Sequence, residues 1–414
     1  MSVARYLDAA ATAPLREEAL ERMREVAAAG PGNPSSVHGP GHRAAGTVAE
    51  AREQIAGTFG VRPPEVIFTS GGTEANNLAI IGLALANPRG RHLVTTPIEH
   101  PSVLESCRFL ERVHGFELTL VPVGEDGRVT PAQPAAVLRP DTTLVSIGLA
   151  NAEVGTVQDL PALAREVRAS GALLHTDAVQ AAASLPVSLS AGAWPGADID
   201  AMTVASHKFG GPQGVGALIV RQHLPVEPLL HGGGQERGMR SGTENVVGIA
   251  GFAAAVVAAR AAVGQQAVAL MESRDALVSR VLAEVPGARL TGHAEERLPG
   301  HASFVVRGVS GESLLVALDA AGFAVSSGSA CAAGNDEPSP ALLAMGIDPE
   351  LAQTAVRFTL HGALGGVAGS DINRILTVLT AEQAAFSPRR SFAGAAHTGV
   401  EAAQAAPHDQ PARH

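Results

Sequence analysis

Between about residues 60 and 220 the chain alternates short β-rich runs with helical patterns. We predict strands at E-V-I-F-T, R-H-L-V-T-T, T-L-V-S-I-G-L-A, A-L-L-H-T-D and I-D-A-M-T-V-A-S, with an antiparallel neighbour of the last at G-V-G-A-L-I-V-R. This order is typical of an α/β domain with a mostly parallel sheet flanked by helices. In such sheets ligands bind beyond the carboxyl ends of the strands.

The pattern changes after about residue 262, where helices at 265–284, 311–320, 340–354 and 370–384 surround the strand A-S-F-V-V. A chain of 414 residues is also too long for one small core. We therefore predict a large domain and a smaller α+β domain. The predicted boundaries are 15–262 for the large domain, 1–14 with 263–385 for the small domain, and 386–414 for a disordered, Ala/Pro/His/Gln-rich tail.

Composition excludes several classes of function. A net charge of −10 argues against nucleic acid or an anionic membrane as the main partner. Two cysteines, Cys107 and Cys331, exclude a disulfide framework and a four-thiolate zinc site, so we predict no metal site and expect a reducing cytoplasm. The N-terminus has no signal-peptide apolar run, and the apolar stretch 246–259 is shorter than the ~20 residues of a membrane span.

The chain contains a single lysine, Lys208, in the run A-S-H-K-F-G-G-P-Q-G, whereas its other 29 Lys and Arg residues are arginines. GC-rich codon usage explains the missing lysines but not the one that is retained. An arginine guanidinium stays protonated and is no nucleophile. A partly desolvated lysine amine can lose its proton and condense with an aldehyde.

The turn S-G-G-T-E follows the first strand of the alternating region and opens a helix. Gly72 lets the backbone approach a ligand, and Thr73 with the free amides of the new helix could hold a phosphate. Turns of this kind also occur for structural reasons alone. His100, just past another strand, is open to two interpretations as well: a structural histidine, or a ring that stacks on a planar cofactor and moves protons.

Asp177 ends a strand in H-T-D-A-V-Q, where an unpaired carboxylate would be unfavourable inside an apolar sheet. A protonated pyridine nitrogen would supply the cation, and Gln180 could donate to a phenolic oxygen. Capping of the next helix is the alternative. A phosphate-binding turn, a strand-end Asp and a strand-end Lys 31 residues later together predict a pyridoxal 5′-phosphate site, in which Lys208 holds the aldehyde as a Schiff base.

Further motifs follow one another from residue 6 onward: Y-L-D-A-A-A-T-A-P (6–14), T-S-G-G-T-E-A-N-N (69–77), E-H-P-S-V (99–103), N-A-E-V-G (151–155), H-T-D-A-V-Q (175–180), S-H-K-F-G-G-P (206–212), H-G-G-G-Q-E-R-G-M-R-S-G-T-E-N (231–245) and S-S-G-S-A-C (326–331). In this order they resemble the cysteine desulfurases, fold-type I pyridoxal-phosphate enzymes of the aminotransferase class V group. The resemblance covers residues 6 to about 385 and implies the PLP-dependent transferase fold type I.

The resemblance also implies residue roles. Thr73, Ser206 and His207 would contact the cofactor phosphate, and Thr243 would reach the phosphate of a neighbouring subunit, which makes the enzyme a homodimer. Asn151 and Arg357 would bind the substrate, Arg357 holding its carboxylate through two hydrogen bonds.

The two cysteines are predicted to differ. Cys107 lies on a helix pattern and is expected to be a small core residue. Cys331 lies in a Gly/Ser/Asp-rich stretch with no apolar face, as a mobile sulfur-carrying thiol requires. The family has its persulfide cysteine at this position, on the long-loop variant that passes sulfur to scaffold or carrier proteins.

Four positions depart from the family pattern. Ala152 replaces the second Asn of N-N-E-[IV]-G, which lies near substrate and cofactor. Ala205 and Ser206 stand in swapped order relative to S-[GA]-H-K, and Gln213 replaces the lysine of G-P-K-G. The stretch after Arg357 reads T-L-H-G-A-L-G-G instead of the usual Ser-x-Gly-Arg pattern.

The expected reaction is the removal of sulfur from L-cysteine, giving L-alanine and a persulfide on Cys331 for an acceptor in iron–sulfur cluster assembly or tRNA thiolation. Lys208 would take the α-proton, and His100 would act as acid or base near the leaving sulfur. One alternative keeps the cofactor and changes the reaction, as in a selenocysteine lyase or another β-eliminating enzyme. The other is a non-catalytic homologue that serves as a binding partner.

Overall fold

The computed structural model describes residues 5–327 and 337–386. Its strands are β1 (Arg5–Tyr6), β2 (Val66–Thr69), β3 (His92–Thr95), β4 (Glu117–Leu120), β5 (Thr142–Ser146), β6 (Leu173–Asp177), β7 (Ala201–Ala205), β8 (Gly216–Val220), β9 (Ala288–Leu290), β10 (His301–Val306), β11 (Phe323–Ala324) and β12 (Ala355–Thr359). Its α-helices are α1 (Glu17–Ala28), α2 (Gly39–Phe59), α3 (Gly72–Asn77), α4 (Leu83–Ala86), α5 (Pro101–His114), α6 (Ala132–Val137), α7 (Leu160–Ser170), α8 (Val246–Glu284), α9 (Gly311–Ala320), α10 (Pro340–Ala344), α11 (Pro349–Ala352) and α12 (Gly369–Phe386).

The main sheet of the described residues contains seven strands in the order β2-β8-β7-β6-β5-β3-β4. Neighbours from β7 to β4 are parallel, whereas β8 runs antiparallel to both β7 and β2. The predicted α/β class, the mostly parallel sheet and the antiparallel neighbour are therefore confirmed.

Apolar side chains cover both faces of this sheet. All residues of β2, β5, β7 and β8 are buried, as continuous apolar runs require when helices pack on both sides. One face packs with α2, α7 and α8 around residues such as Phe59, Leu163 and Phe252. The other face packs with α3, α4 and α5 around Leu78 and Leu110.

A second sheet, β12-β10-β9, is antiparallel and has its own core with α9, α12 and the second half of α8. Phe304 and Phe358 meet edge to face in this core, with ring centroids 6.2 Å apart. The start of the chain joins it, because β1 pairs in parallel with β11 and Leu7 is buried there. The exact domain boundaries stay a prediction.

The sequence predicts a break near residue 262, but α8 runs unbroken for 39 residues. Its first half packs in the core of the main sheet and its second half in the core of the smaller one. The connection A-A-V-G-Q-Q is rich in good helix formers, and a single Gly264 costs a helix only ~1 kcal/mol relative to alanine. By length and composition α8 could cross a membrane, but core helices share both properties, and half of its most apolar window is buried inside the protein.

The parallel arrangement brings separate motifs to one edge of the main sheet. Strands β2, β3, β5, β6 and β7 all run in the same direction. Gly72, His100, Asn151, Asp177 and Lys208 therefore follow strands that end at the same edge.

Candidate active site

The turn after β2 forms a backbone cradle at the start of α3. A Cβ on Gly72 would lie 3.0 Å from the Val179 side chain, and one on Gly216 would lie 2.6 Å from the carbonyl carbon of Gly71. Glycine at these positions therefore permits the close approach of the turn to its neighbours. The first amides of a helix have no intrahelical partner, and Thr73 beside them is exposed. These groups can bind a phosphate.

Asp177 ends β6 and accepts two hydrogen bonds. Its Oδ1 accepts from the backbone N–H of Val179 at 2.9 Å, and its Oδ2 accepts from Asn76 Nδ2 at 2.7 Å. The first bond orders the turn that follows the strand. No helix begins in the described stretch between β6 and β7, so Asp177 caps a turn and not a helix. Both donors are neutral, so these two contacts fix the carboxylate without neutralising its charge.

His100 caps the N-terminus of α5. Its Nδ1 accepts from the backbone N–H of Ser102 at 3.1 Å and lies 2.7 Å from Ser102 Oγ. Desolvation lowers the pKa of His100; the Lys208 charge adds to this, and the Asp177 carboxylate opposes it. Hydrogen bonds through Asn76 and Ser102 link His100 to Asp177, and Lys208 follows the neighbouring strand β7.

Lys208 ends the short turn after β7, and its Nζ donates to the carbonyl oxygens of Ala10 and, at 2.9 Å, of Ala11. Gln180 Nε2 also donates to Ala10 O, at 3.0 Å. The segment that follows β1 therefore lies against the reactive lysine. In this structure that segment engages both Lys208 and Gln180.

His207 lies beside the same segment, with Nδ1 3.2 Å from Thr12 Oγ1 and its carbonyl accepting from Ala13 N–H at 3.0 Å. Desolvation, with a smaller contribution from the Lys208 charge, lowers the pKa of His207 to about 4. The ring is therefore neutral at physiological pH. A neutral ring can donate a hydrogen bond to a phosphate but adds no positive charge.

The predicted phosphate contact of Ser206 stays a prediction. Its Oγ is buried without a hydrogen-bond partner among the described residues, and a Cβ on Gly211 would collide with it. The hydroxyl therefore lies beneath the following turn. The Ala205 side chain points toward the turn after β2, because a Cβ added to Gly72 would lie 3.4 Å from the Ala205 Cβ. With side chains alternating across the strand end, the swapped order leaves the phosphate turn facing a methyl group.

Arg357 lies on β12 and is almost fully buried. Its Nη1 donates to the carbonyl of Ala152 at 2.9 Å, and its Nη2 donates to Asp8 Oδ1 at 2.8 Å. The guanidinium thus joins the second sheet to the 151–155 turn of the main sheet.

Asn151 has a role that the sequence did not predict. Its Oδ1 accepts from the backbone N–H groups of Glu153 and Val154 at 2.8 and 2.9 Å, and its Nδ2 donates to Ile98 O at 2.8 Å. These bonds shape the turn that places Ala152 next to Arg357. The predicted contact of Asn151 with substrate stays a prediction.

Cys331 lies outside the described residues, as do residues 387–414, which include nearly all of the predicted tail. Cys107 is a core residue of α5, and burial raises the pKa of its thiol to about 12, so this thiol is inert. Thr243 is exposed in the loop before α8. Its predicted contact with a neighbouring subunit stays a prediction.

Sequence reasoning missed four side chains that shape this edge. Asn76 and Ser102 connect Asp177 to His100, Asp8 pairs with Arg357, and Glu99 joins two strand ends. The signal for Asn76 was present, because an asparagine within the apolar run A-N-N-L-A-I-I has to satisfy a buried amide. No local pattern indicated the other three.

The residues present fit pyridoxal 5′-phosphate. Asp177 keeps its negative charge because its hydrogen-bond donors are neutral, so it can pair with a protonated ring nitrogen. Lys208 can bind the aldehyde, and the Gly72 turn with His207 can bind the phosphate. Ala205 removes one hydroxyl from that set. The donors are complementary to the cofactor at each end.

Comparison with known proteins agrees with this arrangement. The family model for aminotransferase class-V matches residues 5–363. The cysteine desulfurase IscS of Dictyoglomus turgidum is 42% identical over 356 residues, covering 86% of this chain and 89% of its own. Two solved structures are similar over most of their length. A NifS-like protein has a TM-score of 0.82 and 35% identity over 92% of this chain and 99% of its own. SspA in complex with cysteine has a TM-score of 0.73 and 31% identity over 86% and 98%.

The shared edge of strand ends, the lysine and aspartate placed there, and these similarities lead to one assignment. The chain belongs to the aminotransferase class-V family and, within it, to the cysteine desulfurases, which depend on pyridoxal 5′-phosphate.

Proposed function

We propose that this cysteine desulfurase transfers the sulfur of L-cysteine to Cys331, releasing L-alanine. The observation that carries the proposal is that Lys208, Asp177 and His100 follow strands that end at one edge of the main sheet, with Arg357 beside the Ala152 turn. The first three residues suit the cofactor and its reacting carbon. Arg357 supplies the charge that a substrate carboxylate needs.

Each charged end of the substrate has a partner in this arrangement. When bound, the cofactor supplies an aldehyde for the substrate amine and a ring that withdraws electrons from the α-carbon. Lys208 Nζ takes the α-proton, because its amine lies at the strand end and can be released from the carbonyls of Ala10 and Ala11. Arg357 orients the carboxylate, and Asp177 holds its charge opposite the ring nitrogen.

The sulfur-transfer step needs one protein thiol besides the substrate. The Cys331 sulfur forms a bond to the substrate sulfur while the carbon–sulfur bond breaks, and its electron pair stays with the carbon that leaves in alanine. The thiol proton and the α-proton return to that product, so L-cysteine and a thiol give L-alanine and a persulfide. No outside oxidant is required.

The positions that flank Cys331 support its role. Before it, Ser326 exchanges two backbone hydrogen bonds with Arg357, at 2.7 and 3.3 Å. After it, Ser339 Oγ donates to the carboxylate of Glu153, next to Ala152. Both attachment points therefore adjoin the residues proposed to hold the substrate, so a segment that begins and ends there can bring a thiol to it.

The remaining expectations extend this proposal. The motif containing Thr243 supports a homodimer in which each subunit completes the phosphate site of the other. The enzyme would act in the cytoplasm and pass the persulfide to an acceptor protein of iron–sulfur cluster assembly, which the name IscS of its relatives fits, or of tRNA thiolation.

The decisive experiment is turnover with purified, cofactor-loaded protein. Equal amounts of alanine and protein-bound persulfide should form from L-cysteine, and sulfide should appear when a thiol reductant is added. Faster elimination from selenocysteine without any protein persulfide would favour the lyase alternative. Failure to bind the cofactor at all would favour the non-catalytic binding partner.

A further inference from the structure

Asn76 occupies a buried position between two residues of the site. It is 1% exposed, and its Nδ2 donates to Asp177 Oδ2 at 2.7 Å and to Ser102 Oγ at 2.9 Å. An amide nitrogen has two hydrogens, so both are used. Asp177 can only accept as a carboxylate, which fixes the orientation of the amide and makes Ser102 Oγ the acceptor of the second bond.

The hydroxyl group of Ser102 in turn donates to His100. Because its oxygen already accepts from Asn76, its own hydrogen is available to His100 Nδ1, 2.7 Å away. The backbone N–H of Ser102 points to the same nitrogen at 3.1 Å, and a backbone N–H can only donate. Nδ1 is therefore an acceptor, and the single proton of the neutral ring has to be on Nε2.

We propose that Asn76 and Ser102 are positioning residues whose hydrogen bonds, running from Asp177 to His100, hold the imidazole in the tautomer with its proton on Nε2. Among residues 5–327 and 337–386, no hydrogen bond occupies Nε2, and His100 is exposed at the edge of the site. The ring thus offers one N–H donor to a bound ligand. Its use in catalysis rests on the proposed function, whereas the tautomer itself does not.

The electrostatics agree with this geometry. The charged groups that reach His100 are Asp177 on β6 and Lys208 after β7, which act in opposite directions, and desolvation is the largest influence. The net effect lowers the pKa of His100, so the ring is neutral at physiological pH. A neutral ring with its proton on Nε2 cannot take a proton there. This leaves proton removal to Lys208 and makes His100 a hydrogen-bond donor to substrate or product.

The tautomer can be measured without turnover. Selective ¹⁵N labelling of histidine in the cofactor-free protein distinguishes a protonated ring nitrogen from an unprotonated one, and the His100→Gln spectrum identifies the signals of His100. Near pH 7.5 we expect an unprotonated Nδ1 and a protonated Nε2. A protonated Nδ1 in the unmutated protein would overturn the proposal, whatever the activity.

Variants test the two positioning residues. Ser102→Ala should raise the titration midpoint of His100 by roughly half to one pH unit, since one donor to Nδ1 is lost. In the loaded enzyme it should lower kcat about tenfold with little change in KM. Ser102→Thr keeps the hydroxyl and should restore both values. Asn76→Asp places a second carboxyl group against Asp177 and should weaken cofactor binding, whereas the retained Ser102 backbone N–H should keep Nδ1 an acceptor.

Ser106→Ala is the matched control. Ser106 is buried on the same helix and donates to the Ser102 carbonyl at 2.7 Å, but it does not touch His100. It should leave the midpoint and kcat unchanged. If Ser102→Ala leaves the ¹⁵N spectrum and midpoint of His100 as they are in the Ser106→Ala protein, the assignment of Ser102 is wrong. If the tautomer is as expected but L-cysteine is not turned over, only the proposed function fails.

Discussion

Arg357 Nη2 donates to Asp8 Oδ1 at 2.8 Å, joining β12 to the eighth residue of the chain. The guanidinium is 3% exposed, so the pair is shielded from water, and its strength depends little on salt. A substrate carboxylate that binds Arg357 meets a cation that already has a carboxylate neighbour. The affinity of the site therefore depends on Asp8 as well as on Arg357.

Asp8→Asn should strengthen substrate binding. In the variant the buried Arg357 cation has lost its carboxylate partner, so the unliganded protein should lose thermal stability. A substrate carboxylate then supplies the missing negative charge, and KM for L-cysteine should fall severalfold. Steady-state kinetics and thermal shift with and without substrate measure both effects. Asp371→Asn is the control, because it breaks a partly exposed pair with Arg5 in the same N-terminal region. A raised KM would mean that Asp8 chiefly orients the guanidinium.

Lys208→Arg should abolish turnover without unfolding the protein. The positive charge and the bonds to the Ala10 and Ala11 carbonyls can be retained, but a guanidinium cannot condense with the cofactor aldehyde. Circular dichroism checks the fold, and alanine release checks activity. Borohydride should fix the cofactor to one peptide of the unmutated protein, and a labelled peptide that lacks Lys208 would overturn the assignment.

Cys331→Ser should separate cofactor chemistry from sulfur transfer. The variant should bind the cofactor, and added cysteine should still change its visible spectrum. It should form neither alanine nor persulfide, because a hydroxyl is a far poorer nucleophile toward sulfur than a thiolate. Cys107→Ser is the control, since that thiol is buried in α5. Near-normal alanine production by Cys331→Ser would replace the persulfide mechanism with a lyase mechanism.

Ala152→Asn should raise activity if the pocket has changed only at this position. An added amide beside Arg357 could orient the substrate, which is worth roughly 1–3 kcal/mol or about ten- to a hundredfold in rate. The Ala152 carbonyl, which accepts from Arg357 at 2.9 Å, is retained in the variant. The measurement is kcat/KM for L-cysteine. An unchanged value would indicate a pocket rebuilt around alanine.

Glu99→Gln should make stability less dependent on pH. Burial, with the Asp177 charge adding to it, raises the pKa of Glu99 to about 7, although Gly148 N–H and Thr96 Oγ1 donate to its carboxylate. Its contribution to stability is therefore complete below the unfolded value near 4.5 and is lost as pH rises through about 7.

Between pH 5 and pH 8 the unmutated protein should lose about 1–3 kcal/mol more unfolding free energy than Glu99→Gln, whose amide can accept from Gly148 N–H and donate to Thr96 Oγ1. Urea unfolding at the two pH values measures the difference. Glu105→Gln, an exposed change on α5, should behave like the unmutated protein. If the unfolding free energies of Glu99→Gln and of the unmutated protein change by the same amount between the two pH values, Glu99 ionises normally in the folded protein.

Much of the main sheet was predictable because its strands are short, apolar and separated by strongly periodic helices. The bounds of α9 agree with the predicted ones. Strand β4 was missed because its residues are only partly buried at the sheet edge and carry no continuous apolar run. The continuity of α8 was missed because local propensity near Gly264 does not show that two cores share one helix.

The site was predictable only where one residue type is indispensable. Lys208 and Asp177 could be found because no other side chain does their chemistry. The burial of the Ser206 hydroxyl was not predictable from residue type, because strand alternation decides which side a side chain takes. Asp8 could not be found, since its partner is 349 residues away and nothing local links the two.

Several partners of residues 5–13 are made late in synthesis, although those residues leave the ribosome first. Arg5 and Tyr6 pair with Phe323 and Ala324, and Ala10 N–H donates to Thr359 Oγ1 across 349 residues. At roughly 5–20 residues per second, that interval is on the order of tens of seconds. Lys208 is itself made within that interval, and from then until Phe323 and Thr359 follow, the nascent chain carries the Lys208 strand end without the segment that will cover it. A free aldehyde, the cofactor's own included, can reach that amine before the first residues have returned to cover it.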